Sequence, residues 1–117
     1  MTEYIVLLPG DEAAWQGASE EQRQATYHKH QEFAKLLEER GLRVTGGSEL
    51  TYSREAKTLR TSSDGTQTVT DGPYSESVEQ LTGFYLIEAD SIDAVVDACK
   101  VLGEGESLIE VRACKGM

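Results

Sequence analysis

Tyr4-Ile5-Val6-Leu7-Leu8 is a continuous apolar run. It predicts a strand buried on both faces, central in a sheet, and ended by Pro9-Gly10. Asp11 to Trp15 then reads as a short helical turn that leaves Trp15, a packing anchor or a ligand platform, near the end of that strand. From Ser19 the period changes to that of a helix. Ser19 and Gln22 match a capping box, Glu20-Glu21 suit the positive end of the helix dipole, and Gly41 after Arg40 fits a left-handed C-terminal cap. His30, Phe33, Ala34 and Leu37 fall on one face of this helix, whereas His28 lines up with Glu32 and Lys35 on the wet side.

Period two returns in the second half. Leu42 to Tyr52 predicts a strand loosened at Gly46-Gly47, where a bulge, a close backbone approach or room for a ligand would fit. Ala56–Thr61 and Thr66–Thr70, joined through Ser62-Ser63-Asp64-Gly65, predict an exposed, Thr-rich hairpin. Asp71-Gly72-Pro73 enforces a reversal by backbone chemistry, and Gly83 opens the core strand Phe84-Tyr85-Leu86-Ile87. So well-defined a loop, delivered onto a core strand, is either a site wall or only a turn. Ser91 caps a second helix with Ile92, Val95, Val96 and Cys99 as its apolar stripe, ending near Leu102-Gly103. Ser107–Ala113 is the last strand, with Ile109, Val111 and Ala113 on one face.

The order β, α, β, hairpin, β, α, β predicts an α+β fold, the ferredoxin-like split βαβ sandwich with a β-hairpin insertion. Two helices cover one face of such a sheet. Leu8, Phe84 and Leu86 are candidates for the uncovered face, and a second copy of the chain, packed sheet against sheet, is the expected cover.

Composition narrows the function classes. The 117 residues suit one domain, and 38% hydrophobic with 27% charged residues marks a globular chain. No apolar run is long enough to span a bilayer, and Met1-Thr2-Glu3-Tyr4 lacks the basic start of a signal peptide, so a cytoplasmic location without membrane contact is expected. Against 11 Lys and Arg stand 21 Asp and Glu, a net charge of −10 without a basic cluster, which argues against direct nucleic-acid binding. Cys99 and Cys114 form no zinc or redox motif, and Cys99 on an apolar stripe acts as a small hydrophobe. No phosphate-cradling glycine loop and no serine nucleophile elbow occurs. Two histidines that face apart do not chelate one ion, so neither metal nor cofactor is expected.

Asp71-Gly72-Pro73-Tyr74 followed by Glu76, Glu79-Gln80-Leu81 and Gly83-Phe84-Tyr85 resembles the signature of the YCII-related (DGPF-type) domain family. The opening YIVLLPGDEAAW and the spacing of His30, Phe33, Leu37 and Gly41 are similar to it as well, so the resemblance spans nearly the whole chain, residues 1–117. It implies a dimeric α+β barrel, and a His–Asp pair as candidate active site, matching His30 and Asp90. A few such proteins are enzymes on small, often aromatic, molecules; others are linked to transcription by genetic association only. Tyr74 stands where the signature usually has Phe, and Val78 where many members have Lys.

A histidine on an apolar helix face is costly to bury unless its nitrogens are paired. Asp90 would set the tautomer of His30 and leave the second nitrogen free as general acid or base, enough for isomerisation or elimination on a small acidic or aromatic metabolite. Equally, His30 is accounted for as a satisfied core histidine and Asp90 as a residue favoured by a helix dipole. Asp71, Tyr74, Trp15 and Glu76 are the candidate substrate-binding residues, although Asp before Gly commonly binds its own turn. Tyr4, Tyr74 and Tyr85 could donate hydrogen bonds to a bound anion, although strand tyrosines more often serve packing. Two functions follow: a small-molecule enzyme using proton transfer, or a non-catalytic small-molecule binder or accessory regulatory protein.

Overall fold

A computed structural model describes residues 1–116. Its elements are β1 (Thr2–Asp11), α1 (Glu12–Gln16), α2 (Glu20–Glu39), β2 (Arg43–Glu49), a 3-10 turn (Ser53–Glu55), β3 (Lys57–Thr61), β4 (Gln67–Asp71), β5 (Glu79–Ala89), α3 (Ile92–Gly103) and β6 (Glu110–Ala113). One four-stranded antiparallel sheet has the order β2-β5-β1-β6, and β3-β4 form a separate ribbon. Leaving the ribbon aside, this is a β-α-β-β-α-β chain whose outer strands flank the first and third, an α+β arrangement consistent with the ferredoxin-like fold.

β1 is central, but its apolar run is not buried equally on both sides. Tyr4, Val6 and Leu8 are buried, whereas Ile5 and Leu7 are half-buried on the opposite face. The expected placement of Leu8 on the uncovered face is therefore corrected, because strand parity turns it under the helices with Tyr4 and Val6. Register pairs Ile5 with Leu86 and Leu7 with Phe84, so these four form the apolar rows of the uncovered face. β1 also runs through Pro9-Gly10 instead of ending there, since a bulge between Leu8 and Pro9 absorbs the irregularity and carries pairing on to Asp11 and Glu79.

The caps of α2 follow the sequence. Ser19 Oγ accepts from the Gln22 amide at 3.1 Å, and Gln22 Oε1 accepts from the Ser19 amide at 2.9 Å. At the other end Gly41 has φ 71°, and the Leu42 amide reaches back to the Leu37 carbonyl at 2.9 Å, which closes a Schellman motif. The buried side of α2 carries Phe33 and Leu37, while Ala34 is exposed. α3 is rotated from the expected stripe in the same way. Val95, Ala98, Cys99 and Leu102 are buried, and Ile92 and Val96 are exposed.

β2 stops at Glu49, earlier than expected, and β6 is only Glu110–Ala113. The glycine pair in β2 does make a bulge, between Val44 and Gly46. Gly47, at φ 145°, comes so close to β5 that a Cβ there would sit 2.6 Å from the Phe84 carbonyl oxygen. The β3-β4 ribbon is exposed almost throughout and stands off the main sheet. It lengthens the molecule to 51 × 41 × 18 Å and raises the radius of gyration to 16.4 Å, against about 13 Å for a compact chain of this size.

Cys99 lies in the core, where burial pushes its thiol up to about 11. Because the thiolate is the reactive form, the native protein at pH 8 will release about one equivalent of thionitrobenzoate from Ellman's reagent, from the half-buried Cys114. The second equivalent will appear only in denaturant. Rapid release of both from the native state would show that the α3–sheet packing is looser than described.

Candidate functional site

β1 and β2 end, and β5 begins, at the same edge of the main sheet, because β5 pairs antiparallel with both. The first half of α2 passes over this edge. Between them lies a half-open hollow of about 1030 Å³, walled by α1, α2, the strand ends and the loop after α3.

His30 projects from α2 into this hollow. Its Nδ1 lies 2.7 Å from the hydroxyl oxygen of Tyr85, and the two rings are stacked at 5.9 Å with 27° between their planes. Nε2 faces Glu106 Oε1 at 3.7 Å, within ion-pair range but beyond hydrogen-bond length. The His30 and Glu106 side chains are 23% and 18% exposed, so the pair is shielded yet reachable. Tyr85 is held from below by Phe33, with ring centroids 5.1 Å apart.

Burial first, then the charge of Glu106 and that of Cys99, hold the Tyr85 phenol above its ordinary value. At neutral pH it is therefore an O–H donor. With a carboxylate near Nε2, the consistent assignment has Tyr85 O–H donating to Nδ1 and Nε2–H facing Glu106 without a direct hydrogen bond. Carboxylate, imidazole and hydroxyl stand in the order that lets a proton leave the hydroxyl while the resulting imidazolium is stabilised.

The mouth of the hollow is aromatic. Trp15 and Tyr27 meet edge to face at 5.6 Å and 87°. The Tyr27 hydroxyl donates to Glu49, 3.0 and 3.3 Å from its two oxygens, and this bond is the largest cause of the raised Tyr27 ionisation. Glu12 accepts from both the amide and the hydroxyl of Ser53, which ties α1 to the segment after β2. Among the described residues no group of three or more His, Cys, Asp or Glu side chains is placed to hold a metal ion.

Of the residues singled out in the sequence, His30 and Trp15 line the hollow. Asp90 does not pair with His30, and this expectation is corrected. Asp90 is exposed beyond the far end of β5, five residues after Tyr85, about 17 Å along an extended strand. It precedes α3, whereas the Glu106 loop follows α3, and the helix separates the two ends by about 18 Å. Asp71 is exposed and ion-paired with Lys57 at 2.7 Å. Tyr74 is 83% exposed and borders only a shallower groove of about 560 Å³ at the ribbon's base, together with Pro73. Glu76 is exposed and lines neither hollow. The Asp71-Gly72-Pro73 reversal thus ends the ribbon and does not wall the main hollow. His28 stays on the wet side, 3.4 Å from Glu32.

Glu106 was not among the residues singled out, and Tyr85 stood there only as a possible donor to a bound anion or as packing. Tyr85 was signalled by parity, since it alternates with Ile87 and Ala89, the helix-facing residues of β5. Glu106 had no local signal, because only the way α3 packs beside α2 brings its loop to His30.

The YCII-related domain model matches residues 2–114. An uncharacterized protein of Rhizobium meliloti (strain 1021) is 33% identical over 99 residues, which cover 85% of this chain and 78% of that protein. No helix of the described structure is long and apolar enough to cross a membrane. The chain belongs to the YCII-related domain family.

Proposed function

We propose that this chain is a single-domain, cytoplasmic small-molecule enzyme that carries out proton transfer, of the isomerase or lyase kind, with His30 as its acid–base group. The contact that carries this reading is the 2.7 Å hydrogen bond between His30 Nδ1 and Tyr85, set in the wall of a hollow large enough for a metabolite. Glu106 takes the orienting part that the sequence had given to Asp90. In the resting state the imidazole holds the Tyr85 proton donor in place. When His30 accepts that proton, Glu106 offsets the new positive charge, and the phenolate oxygen becomes the base presented to the substrate.

Turnover of a panel of small aromatic metabolites, followed by mass spectrometry, tests the enzyme reading. His30→Gln and Tyr85→Phe should each lower the rate by about 100-fold or more, with Glu106→Gln intermediate and Asp90→Asn near wild type. Loss of activity in Asp90→Asn but not in Glu106→Gln would refute the reassignment. Binding without chemical change in the wild type would leave a recognition protein in place of an enzyme. A substrate-free check is the long-range nitrogen–carbon NMR spectrum of His30, which should report the Nε2–H tautomer and change in Tyr85→Phe.

We further infer that the protein is a homodimer closed through the uncovered face of the main sheet. Ile5, Leu7, Phe84 and Leu86 form two adjacent apolar rows there, and β6 extends the same rows with Arg112 and Glu110. A second copy would cover the apolar rows and set the two sheets face to face as an α+β barrel. Light scattering after gel filtration should give twice the 12.8 kDa chain mass. Leu86→Lys should give the single-chain mass with an unchanged far-ultraviolet spectrum. A wild-type monomer at tens of micromolar would end the proposal.

A further inference from the structure

The hollow is bordered by the carboxylates of Asp11, Glu12, Glu49, Glu55 and Glu106, and among the described residues neither Lys nor Arg lines it. Two of these acids are committed to the backbone: Asp11 accepts from the Ala14 amide and Glu12 from the Ser53 amide. Glu106 faces His30. Glu55 has no side-chain partner among the described residues, but Glu49 is the acid joined to an aromatic residue of the mouth. Among the described residues its oxygens accept only from the Tyr27 hydroxyl, so most of its acceptor capacity stays open toward the mouth.

The aromatic rings at this mouth already attract cations of the chain itself. The Arg23 guanidinium lies 5.5 Å over Trp15, and that of Arg54 lies 4.5 Å over Tyr52, another residue of the hollow's wall. Both arginines are committed elsewhere. Arg23 donates to the Trp15 and Gln16 carbonyls, and Arg54 to Gln16 Oε1. Their acceptors are neutral, so both keep their charge, but neither lines the hollow, and an entering anion would meet five acids against two guanidinium groups at the rings of the mouth. An ammonium group would meet an open carboxylate beside ring faces and edges. This opposes the acidic metabolite expected from sequence and keeps the aromatic one.

We propose that the molecule bound in the hollow carries an organic ammonium group, seated at the Trp15–Tyr27 corner with the Glu49 carboxylate as its counter-ion. This assignment holds only if the hollow is a small-molecule site, and it adds the sign of the ligand's charge. The Tyr27 hydroxyl fixes Glu49 from behind, which makes Tyr27 a positioning residue for recognition. The His30–Tyr85 pair then faces the part of the molecule beyond its amine.

Trp15 is the single tryptophan of the chain, so its fluorescence reports on this corner. The intact protein would be titrated at pH 7 and low salt with 2-phenylethylammonium, phenylacetate and the neutral 2-phenylethanol, with saturation-transfer NMR as an independent measure of binding. The ammonium probe should bind at least about tenfold more tightly than the carboxylate. Glu49→Gln should remove most of that margin, and added salt should narrow it. Phenylacetate binding as well as the amine, or all three probes binding alike, would overturn the charge assignment while leaving a ligand site. A preference for the amine that survives Glu49→Gln would overturn the role of Glu49. No binding of any probe by either method would overturn the underlying reading of the hollow as a small-molecule site.

Discussion

Everything in this molecule hangs on the antiparallel pairing of β1 with β5, from Thr2 opposite Ala89 to Asp11 opposite Glu79. Side chains alternate along each strand, so one register decides two surfaces at once. It sends Tyr4, Val6, Leu8, Ile87 and Ala89 under the helices, and Ile5, Leu7, Phe84 and Leu86 to the other side. Tyr85 belongs to the first set by parity, though its hydroxyl is polar. A slip of one residue would bury Glu88 and turn Tyr85 away from His30, losing core and site together. The bulge after Leu8 confines the irregular backbone to the end of the strand, where the hollow opens.

Much of this was legible in the chain because it is local chemistry. The capping box of α2, its glycine stop, the bulge at Gly46-Gly47 and the Asp-Gly hairpin each depend on residues within a few positions of one another. What was misjudged depended on rotation about an axis. A five-residue apolar run in β1 cannot announce that its two faces are covered unequally. The stripe of α3 was misplaced for a similar reason: Ile92 and Val96 are apolar, yet the helix buries Ala98 and Leu102 instead. Small Ala98 weighs little in a hydrophobic pattern, so its burial is not announced by the sequence.

The site was harder to read, and for a different physical reason. His30 stood out because a polar ring on an apolar stripe needs a partner, and that inference concerns one residue alone. Its partners come from β5 and from the loop after α3, 55 and 76 positions further along the chain. No spacing rule joins residues so far apart. Asp90 was attractive as an acid next to a helix start, but α3 separates the acid before it from the acid after it. The loop that reaches His30 is the one following the helix, and Lys29 anchors it through Glu104 at 2.5 Å. Adjacent residues of α2 thus hold adjacent parts of the same loop, Lys29 by charge and His30 by the geometry of its ring.

This arrangement ties the proposed site to the packing of the core. Phe33 lies one helical turn below His30, is fully buried, and packs against the ring of Tyr85. That contact fixes the ring in the wall of the hollow, with its hydroxyl within hydrogen-bond reach of Nδ1. A tyrosine half in the core gains rigidity from its ring and reactivity from its oxygen. Its cost is a raised ionisation, which burial and the nearby Glu106 both increase. In the transfer we propose, the imidazole stands between the phenol and Glu106, so the charge gained by the ring lies next to both oxygens rather than in solvent.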